Sequence, residues 1–158
     1  MRLIVRAIGK LPAHDPLANV LSDYQTRTDR ACAGIGLSGL EIRELDASRI
    51  TPAKRAKSEE TFLTKDLSGT VVCLDERGQH LSSEKFAQFI GTHRDEGMRE
   101  MNFLIGGADG HSKQMRARAD KILALGTMTW PHMLARVMLA EQLYRATTIL
   151  SGHPYHRA

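Results

Sequence analysis

Met101-Asn-Phe-Leu-Ile-Gly-Gly-Ala-Asp-Gly110 reads as a buried strand that ends abruptly in a glycine loop. A continuous apolar run of this length suits a strand covered on both faces, as in a parallel sheet flanked by helices. The adjacent glycines, Gly106 and Gly107, allow backbone conformations and a close ligand approach that a β-carbon would block. In an open parallel sheet, ligands bind beyond the carboxyl ends of the strands, where this loop falls. A tight turn without a ligand is the other reading of the same glycines. Their spacing is not that of a dinucleotide-binding fingerprint, and no Walker sequence occurs.

Working outward, the same grammar repeats. Upstream, Thr70-Val-Val-Cys-Leu74 is a short apolar strand running into a turn at Asp75-Glu-Arg-Gly78. Ser82 or Ser83 then caps a helix that presents Phe86, Phe89, Ile90 and His93 and ends at Gly97. Downstream, Ser112 caps a short basic helix with Lys113, Arg116 and Arg118, and Ile122-Leu-Ala-Leu125 forms another strand. Gly126-Thr-Met-Thr-Trp130 loops over, and Pro131 launches a long helix to about Ser151.

The N-terminal half is less sharply marked. Residues 1–8 are a strand stopped by Gly9-Lys10-Leu11-Pro12, and Pro16 opens a helix carrying Leu17, Val20, Leu21, Tyr24 and Thr28 at helical spacing. Gly34-Ile35-Gly36 marks a loop before a strand at Leu40-Glu-Ile-Arg43. Thr51-Pro52 starts a helix whose apolar face, Ala56, Glu60, Leu63 and Leu67, is thin. Strands alternating with helices predict an α/β fold with a largely parallel sheet. Without repeats or linkers, residues 1–158 read as one domain.

Composition narrows the class. With 42% hydrophobic and 25% charged residues, neither disorder nor a membrane protein is expected. No apolar run approaches the roughly 20 residues that cross a bilayer, and the charged N-terminus does not resemble a signal peptide. Cys32 and Cys73 form no Cys-x-x-Cys pattern and read as reduced, buried thiols of a cytoplasmic protein. His and acidic residues show no metal-ligand spacing, so no metal is expected. The net charge of +4 is unevenly spread: residues 111–158 carry seven Lys/Arg against two Asp/Glu, and four of the seven histidines. Such a segment suits a polyanion such as RNA, although mild basicity alone is common in small domains.

The last helix is apolar nearly all round, which calls for burial on more than one side, by its own core and by a second subunit. Glu141 and Arg145, four residues apart, are placed to pair, whereas Arg136 needs a partner elsewhere. The tail, Ser151-Gly-His-Pro-Tyr-His-Arg-Ala158, brings imidazoles, a phenol and a guanidinium into five residues. Tyr155 can stack on a base, Arg157 can hold a phosphate, and His153 or His156 titrates near neutrality. A frayed chain end is the plainer reading.

These segments together resemble the RlmH family, the SPOUT-class methyltransferases of large-subunit ribosomal pseudouridine. The resemblance lies in Leu74-Asp-Glu-Arg-Gly78, Phe103-Leu-Ile-Gly-Gly-Ala-Asp-Gly110, Trp130-Pro-His132, the stretch from Arg136 to Ala146, and His153-Pro-Tyr-His-Arg157. It runs almost continuously from Val71 to the C-terminus, with Ala7-Ile-Gly-Lys10 added at the start; residues 11–68 match only in outline. It implies an α/β fold with a C-terminal trefoil knot, knotted over about residues 70–158, and a homodimer paired through the terminal helices. It also implies S-adenosylmethionine as cofactor, held by Leu74, Gly106, Gly107, Leu125, Gly126, Thr127, Met128, Thr129 and Trp130. The implied substrate is 23S rRNA in the assembled ribosome, where N3 of a pseudouridine in a stem-loop is methylated; neither DNA nor a membrane is expected as partner. The imide N3 must lose a proton, which a nearby histidine or a cation stabilising the anion would assist. His132, beside the cofactor loop, and Tyr155, His156 and Arg157 on the tail are the candidates, with His132 open to a purely structural role. A SPOUT enzyme acting on another RNA such as tRNA, or a non-catalytic ribosome-associated protein, are the competing readings.

Overall fold

Apolar runs of β-branched and aliphatic residues place the chain's strands in the middle of the molecule. The computed structural model describes residues 1–156. In chain order the elements are β1 (Arg2–Ile8), α1 (Pro16–Ala31), β2 (Leu40–Leu45), a 3-10 turn (Ala47–Arg49), α2 (Pro52–Thr64), β3 (Thr70–His80), α3 (Ser83–Asp95), β4 (Glu100–Ile105), α4 (Lys113–Arg118), β5 (Lys121–Ala124) and α5 (His132–Ser151). The five strands form one sheet in the order β2-β1-β4-β3-β5, and each pairing in it is parallel. The α/β expectation holds, and the sheet is parallel throughout.

Helices cover both faces. One layer, from α1, α3 and α5, buries Leu21, Phe86, Ile90, Leu139 and Leu143 against Leu3, Val5, Met101 and Phe103. The opposite, thinner layer packs Leu63 of α2 and Met115 of α4 on Ile8, Val71, Cys73 and Leu104. Strands buried on both faces explain why β1 and β4 read as unbroken apolar runs. The thin layer is also tied by polar contacts. The buried Arg6 of β1 donates to Asn102 of β4 at 3.0 Å and to the carbonyls of Lys65 and Asp66 just beyond α2.

The caps expected at Ser82 and Ser112 are present, and Asp15 caps α1 as well. Asp15 accepts from the Leu17 amide at 2.9 Å, Ser82 from Lys85 at 3.3 Å and Ser112 from Met115 at 3.0 Å, each satisfying an amide of the first helical turn. Gly152, in the left-handed region at φ 70°, closes α5. The thin face of α2 buries only Leu63, and Leu67 lies beyond the end of that helix.

One expectation needs correction. Asp75-Glu-Arg-Gly78 is not a turn that ends a strand, because β3 continues through it to His80. The ladder with β5 slips here: Leu74 pairs with Leu123, and so does Gln79, leaving the intervening residues as a bulge. Asp75 Oδ1 accepts the Arg77 amide at 3.1 Å, which gives the local turn chemistry read from the sequence. The strand resumes because Gly78 lies directly on the β5 backbone, where a Cβ would sit 2.6 Å from the Leu123 carbonyl carbon. No helix among the described residues is long and apolar enough to cross a membrane.

Candidate functional site

β3, β4 and β5 lie side by side, so the bulge of β3 after Leu74 meets the carboxyl ends of β4 and β5 and the loops that follow them. A cavity of about 280 Å³ opens there. Leu74, Gly106, Gly107, Leu125, Gly126, Met128, Thr129, Trp130 and His132 all line it; Thr127 does not. Residues separated by more than fifty positions in the sequence are thereby gathered at one sheet edge, where an open parallel sheet binds its ligands.

The loop after β5 closes on itself. The Trp130 indole N–H donates to the Leu125 carbonyl at 3.2 Å, spanning residues 125–130, and Thr129 donates to Glu76 of the β3 bulge at 3.2 Å. The bulge thus holds one wall of the cavity in place. Across it, Gly106 folds back on its own loop: a Cβ there would stand 2.8 Å from the Gly110 carbonyl carbon. At Gly107 the obstruction would be the Glu59 carboxylate of α2, at 3.0 Å. Burial raises the pKa of that carboxyl, with Arg55 opposing and Asp109 reinforcing the shift.

Sequence reasoning missed three residues of the cavity floor. The Arg116 guanidinium of α4 lies 3.4 Å from Asp75 and also donates to the His111 carbonyl. His111, only 5% exposed, fits its ring beneath the glycine loop, with Nε2 3.0 Å from the Leu104 carbonyl. Arg116 was visible as part of a basic helix and Asp75 as part of a turn, but nothing local reveals that they pair. His111 stands next to the glycine loop, and that proximity was its only signal.

His132 opens α5 and lies half-buried at the cavity edge, its Nε2 2.9 Å from the point where a Cβ on Gly9 would stand. Burial first, and the Arg136 cation second, lower its pKa from the ordinary histidine value, which favours the neutral ring.

The described tail residues are not brought to this cavity. Tyr155 packs on Tyr144 at 4.7 Å between ring centroids and lies under the Arg145 guanidinium at 4.9 Å. Its hydroxyl donates to Glu141 at 3.2 Å. Burial, then the Tyr24 hydroxyl and Glu141, push its pKa up to about 12. His156 Nδ1 accepts from Arg145 at 3.4 Å, which leaves Nε2 to donate to Glu84 at 2.7 Å. The expected Glu141–Arg145 pair is formed and serves as the platform for the tail. Arg157 lies outside the described residues. A larger cavity of about 720 Å³ between α1, α3 and α5 reaches Glu141 at this platform; Leu123, Leu125 and Gly126 line both cavities and form the wall between them. Among the described residues, no three His, Cys, Asp or Glu side chains group as a metal ion would require.

The family model described as "Predicted SPOUT methyltransferase" matches residues 1–156. Full-length relatives include proteins of Allorhizobium ampelinum, 48% identical over 161 residues, and Sinorhizobium fredii, 47% identical over 161 residues, each alignment covering 100% of both chains. Both relatives carry the name "Ribosomal RNA large subunit methyltransferase H". Among solved structures, a probable methylase family protein of Haemophilus influenzae superposes with a TM-score of 0.51 at 11% identity, covering 99% of this chain and 70% of that one. That likeness is one of fold.

Proposed function

The chain belongs to the SPOUT methyltransferase family, and from that premise we propose that it transfers the methyl group of S-adenosylmethionine to large-subunit ribosomal RNA, at N3 of a pseudouridine in 23S rRNA of the assembled ribosome. One observation carries the reading: Leu74, the Gly106-Gly107 loop and the loop from Leu125 to Trp130 converge on a single cavity where the β3 bulge meets the carboxyl ends of β4 and β5. Relatives 48% identical over their whole length and named for large-subunit ribosomal RNA supply the substrate class.

The residues present suit this cofactor. Backbone amides and carbonyls of the 125–130 loop offer the paired donors and acceptors an adenine needs, and the glycine loop leaves room for the methionine portion. Asp75, Glu76 and Asp109 line the same cavity together with Arg77 and Arg116, so acidic and basic groups are both at hand for the zwitterionic methionine portion. When bound, the cofactor supplies a methyl group already activated on a sulfonium, so the protein's task is mainly alignment. The pseudouridine N3 is an imide nitrogen that gives up its proton before or during attack. His132, at the cavity edge, is the candidate of this chain nearest the cofactor loops to receive that proton, beside a structural role in seating the first turn of α5. Tyr155, His156 and Arg157 serve the RNA side.

In this reading the working unit is a homodimer of single-domain subunits, knotted in the C-terminal part and acting in the cytoplasm. Support for pairing comes from α5, whose half-buried Met138, Glu141 and Gln142 border the larger cavity. The test is tritium transfer from labelled S-adenosylmethionine to intact ribosomes, to 23S rRNA stripped of protein, and to bulk tRNA. Label in ribosomes, mapping to N3 of one pseudouridine, is expected. Label in tRNA with none in ribosomes would overturn the proposal.

A further inference from the structure

We propose that His111 is a cofactor-contacting residue whose Nδ1, a buried acceptor without a hydrogen-bond partner, takes a hydrogen bond from an N–H or O–H of bound S-adenosylmethionine. The inference rests on the cofactor reading above. His111 follows the glycine loop directly, lines the cavity and is buried. Its Nε2 lies 3.0 Å from the Leu104 carbonyl. A carbonyl oxygen can only accept, so Nε2 must carry the hydrogen. The other nitrogen, Nδ1, is buried and has no hydrogen-bond partner. In a neutral imidazole with its hydrogen on Nε2, that nitrogen is a lone pair waiting for a donor.

The ring is neutral for physical reasons that can be named. Burial lowers its pKa, and the Arg116 cation of α4 adds to the effect. The Leu104 carbonyl, Asp75 of β3 and the Leu74 carbonyl pull the other way without outweighing burial. The ring is also fixed in place. Nε2 is tied to β4 through Leu104, and the residue's own carbonyl is tied to Arg116, which lies against Asp75. Buried polar atoms in folded proteins almost always have a partner, so an orphan on the wall of a ligand cavity points to a ligand group. S-adenosylmethionine has donors of the required kind in its adenine amine, ribose hydroxyls and α-ammonium. An acceptor held rigidly among them selects for one and against ligands that lack it.

Two measurements test the assignment, both using S-adenosylhomocysteine as the probe. The first is calorimetric titration of wild type and His111→Gln. Glutamine can keep a donor near the Leu104 carbonyl but has no acceptor where Nδ1 stands. Affinity is expected to fall by roughly tenfold, the effect of one buried hydrogen bond, with the thermal midpoint nearly unchanged. The second is the ¹⁵N resonances of the wild-type imidazole, which need no variant to fold. On saturation, Nδ1 is expected to move from the position of an unbonded lone pair to that of a hydrogen-bonded one, while Nε2 stays put. Wild-type affinity in a folded glutamine variant, or an Nδ1 resonance that does not respond to saturating probe, would overturn the assignment and leave the cofactor site standing. A wild type that binds no S-adenosylhomocysteine at all would instead refute the cofactor reading, and this inference with it.

Discussion

The guanidinium of Arg136, with no exposed side-chain surface on α5, is paired with the carboxylate of Glu44 on β2. The same guanidinium donates to the carbonyls of Ile8 and Gly9 at 3.1 and 2.8 Å, and the Glu44 carboxylate also accepts the Leu11 amide at 3.3 Å. The first turns of α5 are thereby fastened to the carboxyl ends of β1 and β2. His132, one turn before Arg136, is set against Gly9 by that fastening. The pair therefore bears on the site as well as on the core.

Removing its acidic half should be costly. Glu44→Ala strands a buried cation, whereas Arg136→Met removes the cation and leaves Glu44 access to water. The first is expected to lower stability by about 3 kcal/mol and the second by less, as is usual when an uncompensated charge remains inside. Urea unfolding of the two variants measures this. Equal and small losses would mean that water already screens the pair.

The two glycines of the cavity loop should differ in sensitivity. A Cβ on Gly106 meets the backbone of Gly110 at 2.8 Å, which cannot move without opening the loop. A Cβ on Gly107 meets the Glu59 carboxylate at 3.0 Å, the far end of a side chain that can swing away, and Ile8 at 3.2 Å. Gly106→Ala is therefore expected to cost about 2 kcal/mol, in the range of overpacking, and to weaken S-adenosylhomocysteine binding severely. Gly107→Ala should do markedly less of both. Calorimetry and thermal melts of the two variants decide it, and the reverse order would mean that the loop is not closed as described.

Cys73 makes a chemical prediction. It has no exposed surface, and burial, helped by Asp75, pushes its pKa up to about 11. At pH 8 almost no thiolate exists, and reagents cannot reach the sulfur, so alkylation of native protein should proceed only as fast as the chain opens. Above pH 9 the unfolded chain releases the thiol proton while the folded one still holds it. This group's contribution to stability is thus present below pH 9 and declines as pH rises towards 11. A native thiol that reacts at pH 8 as fast as a denatured one would contradict the burial.

The elements were legible where periodicity and punctuation coincide, as at Ser82, Gly97 and Ser112, and where apolar runs such as those of β1 and β4 demand two-sided burial. The β3 bulge was not. Asp75 and Gly78 carry the chemistry of a turn, and only the β5 backbone beside Gly78 explains why the strand resumes. In the site, glycines and loop ends advertise themselves locally, whereas Arg116 with Asp75, Arg136 with Glu44, and the orphaned nitrogen of His111 are products of long-range packing. The final helix showed that Arg136 needed a partner, but no local pattern pointed across 92 positions to Glu44.

The tail offers the sharpest test of how the site is divided. Tyr155 and His156 are held by Glu141, Arg145 and Glu84, on the far side of the wall formed by Leu123, Leu125 and Gly126 from the cavity of the glycine loop. Among the described residues, none of the groups that line that cavity belongs to the tail. Truncation after Gly152 is therefore expected to leave S-adenosylhomocysteine affinity within a few-fold of wild type, while methyl transfer to ribosomes is lost. The RNA-facing chemistry of a phenol, an imidazole and the Arg157 guanidinium would be gone. If the tail of one subunit serves the cavity of its partner, mixing truncated subunits with Gly106→Val subunits should restore activity, because one site in each heterodimer then has both an intact loop and an intact tail. Loss of cofactor binding on truncation of a folded protein would show that the tail supports the cavity itself. Heterodimers that stay inactive, although both parents fold and pair, would confine each tail to its own subunit while leaving its part in RNA contact intact.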